Sequence, residues 1–177
     1  MSLTDLYNKY GVDNYYCNNS DNYTNPHIKQ ITELLTNNYN KIYQGNILDL
    51  GCGTGQVSTI LFNLGYKQNI TGCDPYLYKS YIEHTKQPCL KYSFSDIIKQ
   101  GLPTNYTSII CSFAMHLCAK DKLSALIYRL ALVTKQIIII TPHKRPEIDK
   151  IQGFNKIFTA KAYTNIGKAV YLKIYIK

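Results

Sequence analysis

The sequence predicts an α/β fold: a doubly wound, seven-stranded sheet, mostly parallel, ending in a C-terminal antiparallel hairpin. Three observations predict it. Short apolar runs alternate with stretches of helical periodicity from residue 27 onward. A glycine turn, Gly51-Cys52-Gly53-Thr54-Gly55, separates one such run from the helix after it. The C-terminal stretch alternates through Val170, Leu172, Ile174 and Ile176, beyond an Asn165-Ile166-Gly167 turn. A β-α alternation builds a parallel sheet covered on both faces, with its ligand site beyond the C-terminal strand ends.

The elements follow in order. Residues 1–26 are rich in Tyr and Asn with little periodicity, which reads as an arm or lid ahead of a single domain over 27–177. Asn25-Pro26 has the form of a helix start, Asn as N-cap and Pro at the first helical position. Ile28, Ile31, Leu34, Leu35 and Ile42 then recur near helical spacing as far as Tyr43. Residues 47–50 form a strand and 57–64 a helix closed by Gly65. Residues 70–74 are a second strand and 76–86 a second helix of the core. Residues 90–94 and 107–113 are the third and fourth strands. Residues 121–133 make a helix with Leu123, Leu126, Ile127 and Leu130 on one face. The run Ile137 to Ile140 lies in a fifth strand, at 136–141, apolar on both faces as a covered strand must be. Pro142 and Pro146 stop it, and the hairpin follows.

Composition narrows the class. The chain has 177 residues, 45% hydrophobic and 18% charged, enough for one core and too apolar for disorder. No apolar run approaches a membrane span of roughly 20 residues. The N-terminal sequence lacks a basic head followed by an apolar run, so a cytoplasmic chain is expected. Six cysteines without a CxxC pair fit a reduced protein, with Cys52 and Cys73 as small apolar fillers. The net charge of +9 leaves nucleic acid open as a partner without favouring it. Lysine outnumbers arginine 18 to 2, the lysines are scattered, and 17 Tyr with 15 Asn reflect an AT-rich coding bias.

The glycine turn carries the chemistry. Glycine lets backbone approach a ligand without a Cβ in the way. Asp49-x-Gly51-x-Gly53-x-Gly55 is neither the G-x-G-x-x-G of dinucleotide sites nor a phosphate-cradling G-x-x-x-x-G-K-[ST]. A carboxylate at Asp49 repels a diphosphate and suits an ammonium group.

The run ILDLGCGTG resembles the first motif of class I S-adenosylmethionine-dependent methyltransferases. Gly72-Cys73-Asp74, Ser95-Asp96 and the terminal hairpin extend the resemblance from about His27 to the end. It implies S-adenosylmethionine as cofactor and S-adenosylhomocysteine as product. Gly51, Cys52, Gly53 and Gly55 would line the methionine part, and Asp49 would hold its amino group. Asp74 would accept the ribose hydroxyls through its two oxygens. Pro75 and Tyr76 would pack near adenine, Asp96 would accept the adenine amine, and Ser95 or Ile97 would offer a backbone N–H. Ser112 and Phe113 would face the cofactor from the end of strand four. For Asp74 and Asp96 the alternative is a cap on the following helix.

The acceptor is approached by exclusion. Cys111-Ser112-Phe113-Ala114-Met115-His116 lacks the (Asp/Asn)-Pro-Pro-aromatic run of base and amide methyltransferases, and resembles the Ser-x-x-x-His-Leu run of many small-molecule ones. His116 is the catalytic candidate, as proton acceptor or positioning group. His143, Lys144 and Arg145 either grip an anionic substrate or form a solvated loop. Tyr15, Tyr16, Tyr23 and His27 either line an aromatic lid over the substrate or pack the arm down. No metal is expected. The resulting expectation is a methyltransferase for a small-molecule or other non-base acceptor. An RNA or protein methyltransferase using the basic surface, and a silent cofactor-binding subunit of a complex, stand as alternatives.

Overall fold

The computed structural model describes residues 25–177. Tyr15, Tyr16, Tyr23 and nearly all of the arm expected over 1–26 lie outside the described residues.

Strands β1 (Ile47–Leu50), β2 (Ile70–Cys73), β3 (Cys89–Leu90), β4 (Ser108–Ser112), β5 (Gln136–Thr141), β6 (Asn155–Tyr163) and β7 (Ala169–Ile176) form one sheet. Their spatial order is β3-β2-β1-β4-β5-β7-β6. The first five are parallel, and β7 runs antiparallel between β5 and β6. The seven-stranded, doubly wound prediction therefore holds, including the hairpin. Its turn is tied by the Thr164 hydroxyl, which accepts from the Lys168 N–H at 3.0 Å.

Helices α1 (Ile28–Asn38), α2 (Gln56–Asn63), α3 (Tyr78–Thr85), α4 (Phe94–Gln100) and α5 (Lys120–Ala131) cover the sheet. Successive strand residues point to opposite faces, and this divides the core in two. Ile47, Ile110, Ile138 and Ile140 pack with Ile31, Leu34 and Leu35 of α1 and Val57 and Leu61 of α2. Leu48, Leu50, Ile109, Ile137 and Ile139 pack with Ile97 of α4 and Leu126, Ile127 and Leu130 of α5. Ile137 and Ile139 thus face one apolar layer and Ile138 and Ile140 the other, which is why that strand shows no alternation.

Two expectations are corrected. The first helix begins at Ile28, not at Pro26. The Asn25 side chain accepts from the His27 N–H at 2.9 Å and its carbonyl accepts from the Ile28 N–H at 3.0 Å, so Asn25 closes a turn ahead of the helix. The third strand is two residues, Cys89 and Leu90, and Phe94 opens α4, a helix the periodicity did not reveal. A Ser93–Asp96 capping box starts it: the Ser93 hydroxyl accepts from the Asp96 N–H while the Asp96 carboxylate accepts from the Ser93 N–H.

Gln136, buried at the opposite end of the sheet, is fully engaged. The Gln136 side chain accepts from Ser108 Oγ at 2.6 Å and from the Tyr43 N–H at 2.9 Å, and donates to the Lys41 carbonyl at 2.9 Å. This pins the segment after α1 beneath β4 and β5. No helix among the described residues is long and apolar enough to cross a membrane.

Candidate active site

A cavity of about 360 Å³ opens beyond the C-terminal ends of β1, β2 and β4. In this strand order β1 is the point from which the chain winds outward in both directions, where doubly wound sheets leave a crevice. Small-ligand pockets commonly have this scale.

The glycine turn makes the cavity floor. Gly51 has φ 68°, and a Cβ there would lie 2.4 Å from the Ala114 Cβ, so the turn after β1 and the segment after β4 close on each other only through glycine. The N–H groups of Gly51 and Cys52 both donate to the Cys73 carbonyl, at 2.8 and 3.2 Å, which anchors the turn on β2.

Asp74 follows directly on β2 in the cavity wall and is 8% exposed. Its two oxygens do different work. Oδ1 accepts from the N–H groups of Tyr76 and Leu77 at 2.9 and 2.8 Å, organising the turn into α3. Oδ2 accepts from the Gly53 N–H at 3.1 Å. A carboxylate oxygen accepts about two donors, so Oδ2 retains one acceptor site beside the glycine turn. The capping role, one of the alternatives in the sequence, thus falls on Oδ1 alone.

Asp49 is 1% exposed at the bottom of the site. The Ser58 hydroxyl of α2 donates to its Oδ2 at 2.8 Å. Tyr81 of α3 lies 2.9 Å from the same hydroxyl. Because the Ser58 proton points to the carboxylate, the Tyr81 hydroxyl donates to Ser58. Burial pushes the Asp49 carboxyl up to about 7, against the Ser58 donation and with a smaller upward push from Asp74. Burial, then the Asp49 charge, drive the Tyr81 hydroxyl upward too.

Asp49, Gly51, Cys52, Gly53, Asp74, Pro75, Tyr76, Ser95, Ser112 and Phe113 all line the cavity. Gly55 does not; it lies behind the floor, against Thr85 and Tyr81. Asp96 is absent from the lining as well. Its Oδ2 accepts from the Ser93 N–H and hydroxyl at 2.9 and 2.6 Å, bonds that hold its carboxyl low, so the helix-cap alternative accounts for it. At that end Tyr92, Ser93, Phe94 and Ile98 line the wall instead.

The end of β4 is polar without being paired. Ser112 Oγ is buried with no hydrogen-bond partner among the described residues. Phe113 follows at φ 55°, a conformation non-glycine residues rarely adopt, and its N–H donates to the Ile140 carbonyl at 2.8 Å. Backbone strain and an unpartnered buried hydroxyl thus lie side by side in the cavity wall.

The remaining candidates stand outside the lining. The His27 ring stacks on Phe113 with centroids 5.1 Å apart, and burial lowers its pKa. His116 is exposed, packs edge-on against His143 at 5.3 Å, and has its pKa lowered by partial burial and then by that neighbour. His143, Lys144 and Arg145 are exposed. The Lys144 carbonyl accepts from the buried Lys173 Nζ, which also donates to Glu147 at 2.9 Å, so this loop is fastened through its main chain.

The sequence reading missed Ser58 and Tyr81. One signal was available: Ser58 interrupts an otherwise apolar buried face, with Val57, Ile60 and Leu61, on α2. Also missed were Asn25 and Gln56, both in the lining, where the Asn25 N–H donates to Gln56 Oε1 at 3.2 Å.

Sheet order, glycine turn and strand-end carboxylate together define the class I methyltransferase fold. The chain belongs to the methyltransferase small domain family, whose model matches residues 15–119, more than half of the sequence. It is 27% identical to the Schizosaccharomyces pombe protein C17A5.05c over 198 residues, spanning 87% of this chain and 80% of that one. Among solved structures it is similar to the N-methyltransferase NodS from Bradyrhizobium japonicum WM9 in complex with S-adenosyl-L-homocysteine. There the TM-score is 0.74 and the identity 12%, over 96% of this chain and 98% of that one. It is also similar to the magnesium protoporphyrin IX methyltransferase ChlM from Synechocystis PCC 6803 with bound SAM. That TM-score is 0.67, the identity 17%, and the coverage 98% and 94%. At these identities the likeness is one of fold.

Proposed function

We propose that this chain is an S-adenosylmethionine-dependent methyltransferase that acts on a small-molecule or other non-base acceptor. The observation that carries the reading is the Asp74 carboxylate, held in the cavity wall by the Gly53 N–H with an acceptor site left over on Oδ2. A ribose hydroxyl is the donor that fits there.

The other residues fit the same ligand. Asp49, buried beneath the turn, favours an ammonium group over any anion. Main chain at Gly51, Cys52 and Gly53 permits close approach, while Pro75, Tyr76 and Ser95 frame the adenine end. S-adenosylmethionine, when bound, supplies a methyl group already activated on a sulfonium. The chain's own task is then to orient an acceptor and exclude water. Ser112 offers a buried hydroxyl for that, and the strained Phe113, backed by His27, forms an apolar wall beside it. A lone hydroxyl with an aromatic wall lacks the paired prolines and amide that grip a planar base amine, which supports a non-base acceptor. ChlM is named for a metalloporphyrin acceptor and NodS for N-methylation, and the first of these supports a small-molecule reading on this fold.

Calorimetry with S-adenosylmethionine and S-adenosylhomocysteine tests the cofactor, with micromolar binding expected. A labelled-methyl screen over small molecules, RNA and protein tests the acceptor. Absence of binding to either ligand overturns the reading, and labelling of RNA alone overturns the choice of acceptor class.

A further inference from the structure

We propose that Cys52 and Cys89 are a redox-sensitive thiol pair that closes to a disulfide and clamps the glycine turn to the sheet edge. Their sulfurs lie 3.6 Å apart, and both thiols are free. Cys52 sits between Gly51 and Gly53 in the cavity floor, whereas Cys89 lies on the edge strand β3 and is partly exposed. Between them in the sheet is β2, where Cys89 is the register partner of Gly72. The missing side chain at Gly72 opens the way: a Cβ there would stand 2.9 Å from Cys52 Sγ. Glycine at 72 therefore lets a side chain of the turn reach across one strand to the next.

A disulfide needs its sulfurs at about 2.05 Å, so the pair must close by roughly 1.5 Å. The chemistry requires a two-electron oxidant, hydrogen peroxide. Cys89, the more exposed thiol, gives its sulfur electrons to the peroxide and becomes a sulfenic acid, with one water released. The Cys52 thiolate attacks that sulfur, the S–S bond forms, and the sulfenic oxygen leaves as a second water. A dithiol reductant reverses the bond by exchange. Burial, with Cys89 beside it, pushes the Cys52 thiol up, so its attack quickens in alkali.

Closure would draw Cys52 toward β3 while Gly53 remains tied to Asp74. It would strain the N–H groups that bracket the proposed ligand, and this consequence rests on the cofactor reading above. The test uses the whole protein under native conditions. Hydrogen peroxide treatment, alkylation and peptide mapping should yield a Cys52–Cys89 cross-linked peptide two hydrogens lighter than its reduced parts. S-adenosylhomocysteine affinity should fall tenfold or more and return with dithiothreitol. In Cys89→Ser, affinity should be normal and insensitive to brief peroxide. Absence of the native cross-link, or an oxidised form with unchanged affinity, overturns the proposal. The cross-link is read without any ligand, so failure of the reduced protein to bind counts against the cofactor reading alone.

Discussion

Gly53 donates its backbone N–H to Oδ2 of Asp74 at 3.1 Å, so the turn after β1 and the carboxylate following β2 are a single unit. Asp74→Asn separates the two jobs of that carboxylate. The amide oxygen can keep the Tyr76 and Leu77 N–H groups, while the amide nitrogen opposes the Gly53 N–H and presents no acceptor to a hydroxyl proton. Loss of a charged acceptor is worth about 2–3 kcal/mol, so affinity for S-adenosylhomocysteine should drop roughly 30- to 150-fold by calorimetry. Thermal unfolding should fall by a few degrees, because the Gly53 N–H loses its acceptor.

Gly51 and Ala114 approach too closely for a second Cβ. Gly51→Ala adds that clash to a left-handed φ, and a cost of about 2–4 kcal/mol is expected from urea unfolding. Adding Ala114→Gly should recover part of it, since the two sites share one contact. Gly65, whose Cβ would meet nothing within 4 Å, carries only the φ penalty, about 1 kcal/mol when changed to Ala. Equal losses at Gly51 and Gly65 would refute the contact.

Asp49 is raised to about 7 from an ordinary 3.8. The folded state therefore holds a proton on it that the unfolded state has lost across pH 4 to 7. Stability from this group is full below pH 4 and is lost as pH rises to about 7, by a few kcal/mol in all. His27 and His116, lowered in the fold, act in the opposite sense near pH 6, so wild type must be compared with Asp49→Asn. The stability difference should grow in the variant's favour between pH 5 and 8. A constant offset would show that Asp49 does not titrate there.

Lys173 is 3% exposed, and Glu147 is the carboxylate that pairs with it. Glu147→Ala leaves a buried ammonium with only the Lys144 carbonyl, and a loss of about 2–3 kcal/mol is expected in denaturant unfolding, near the lower end for a broken buried pair because Glu147 is part-exposed. Lys156→Ala removes only the outer partner of Glu147 and should cost under about 1 kcal/mol.

His116 stands beside His143, outside the cavity lining. Turnover of His116→Ala should fall less than tenfold, with cofactor affinity unchanged. A fall of roughly 100-fold or more at unchanged KM would identify it as the general base.

Local rules carried most of the fold. The Ile47–Leu50 strand, the glycine turn and the closing hairpin are legible because each depends on nearest neighbours: alternation, turn residues, glycine freedom. Helix α4 escaped because seven residues are too short for periodicity, and its only mark, Ser93 three places before Asp96, competed with a binding role for the same carboxylate. The site was half legible for a related reason. Asp49 and Asp74 stand at strand ends that the β-α alternation locates. What each oxygen does depends on donors brought from elsewhere: Gly53 onto Asp74, and Ser58 with Tyr81 onto Asp49.

By itself, then, the sequence determined that a parallel sheet would carry a glycine turn and two carboxylates to one edge, since spacing along a strand dictates that. Only the tertiary structure decided which charges are buried, which hydroxyl at Ser112 is left unpaired, and that two cysteines 37 residues apart meet across Gly72. Burial and hydrogen bonding are properties of packed neighbours, and packing joins residues whose order along the chain holds no record of the contact.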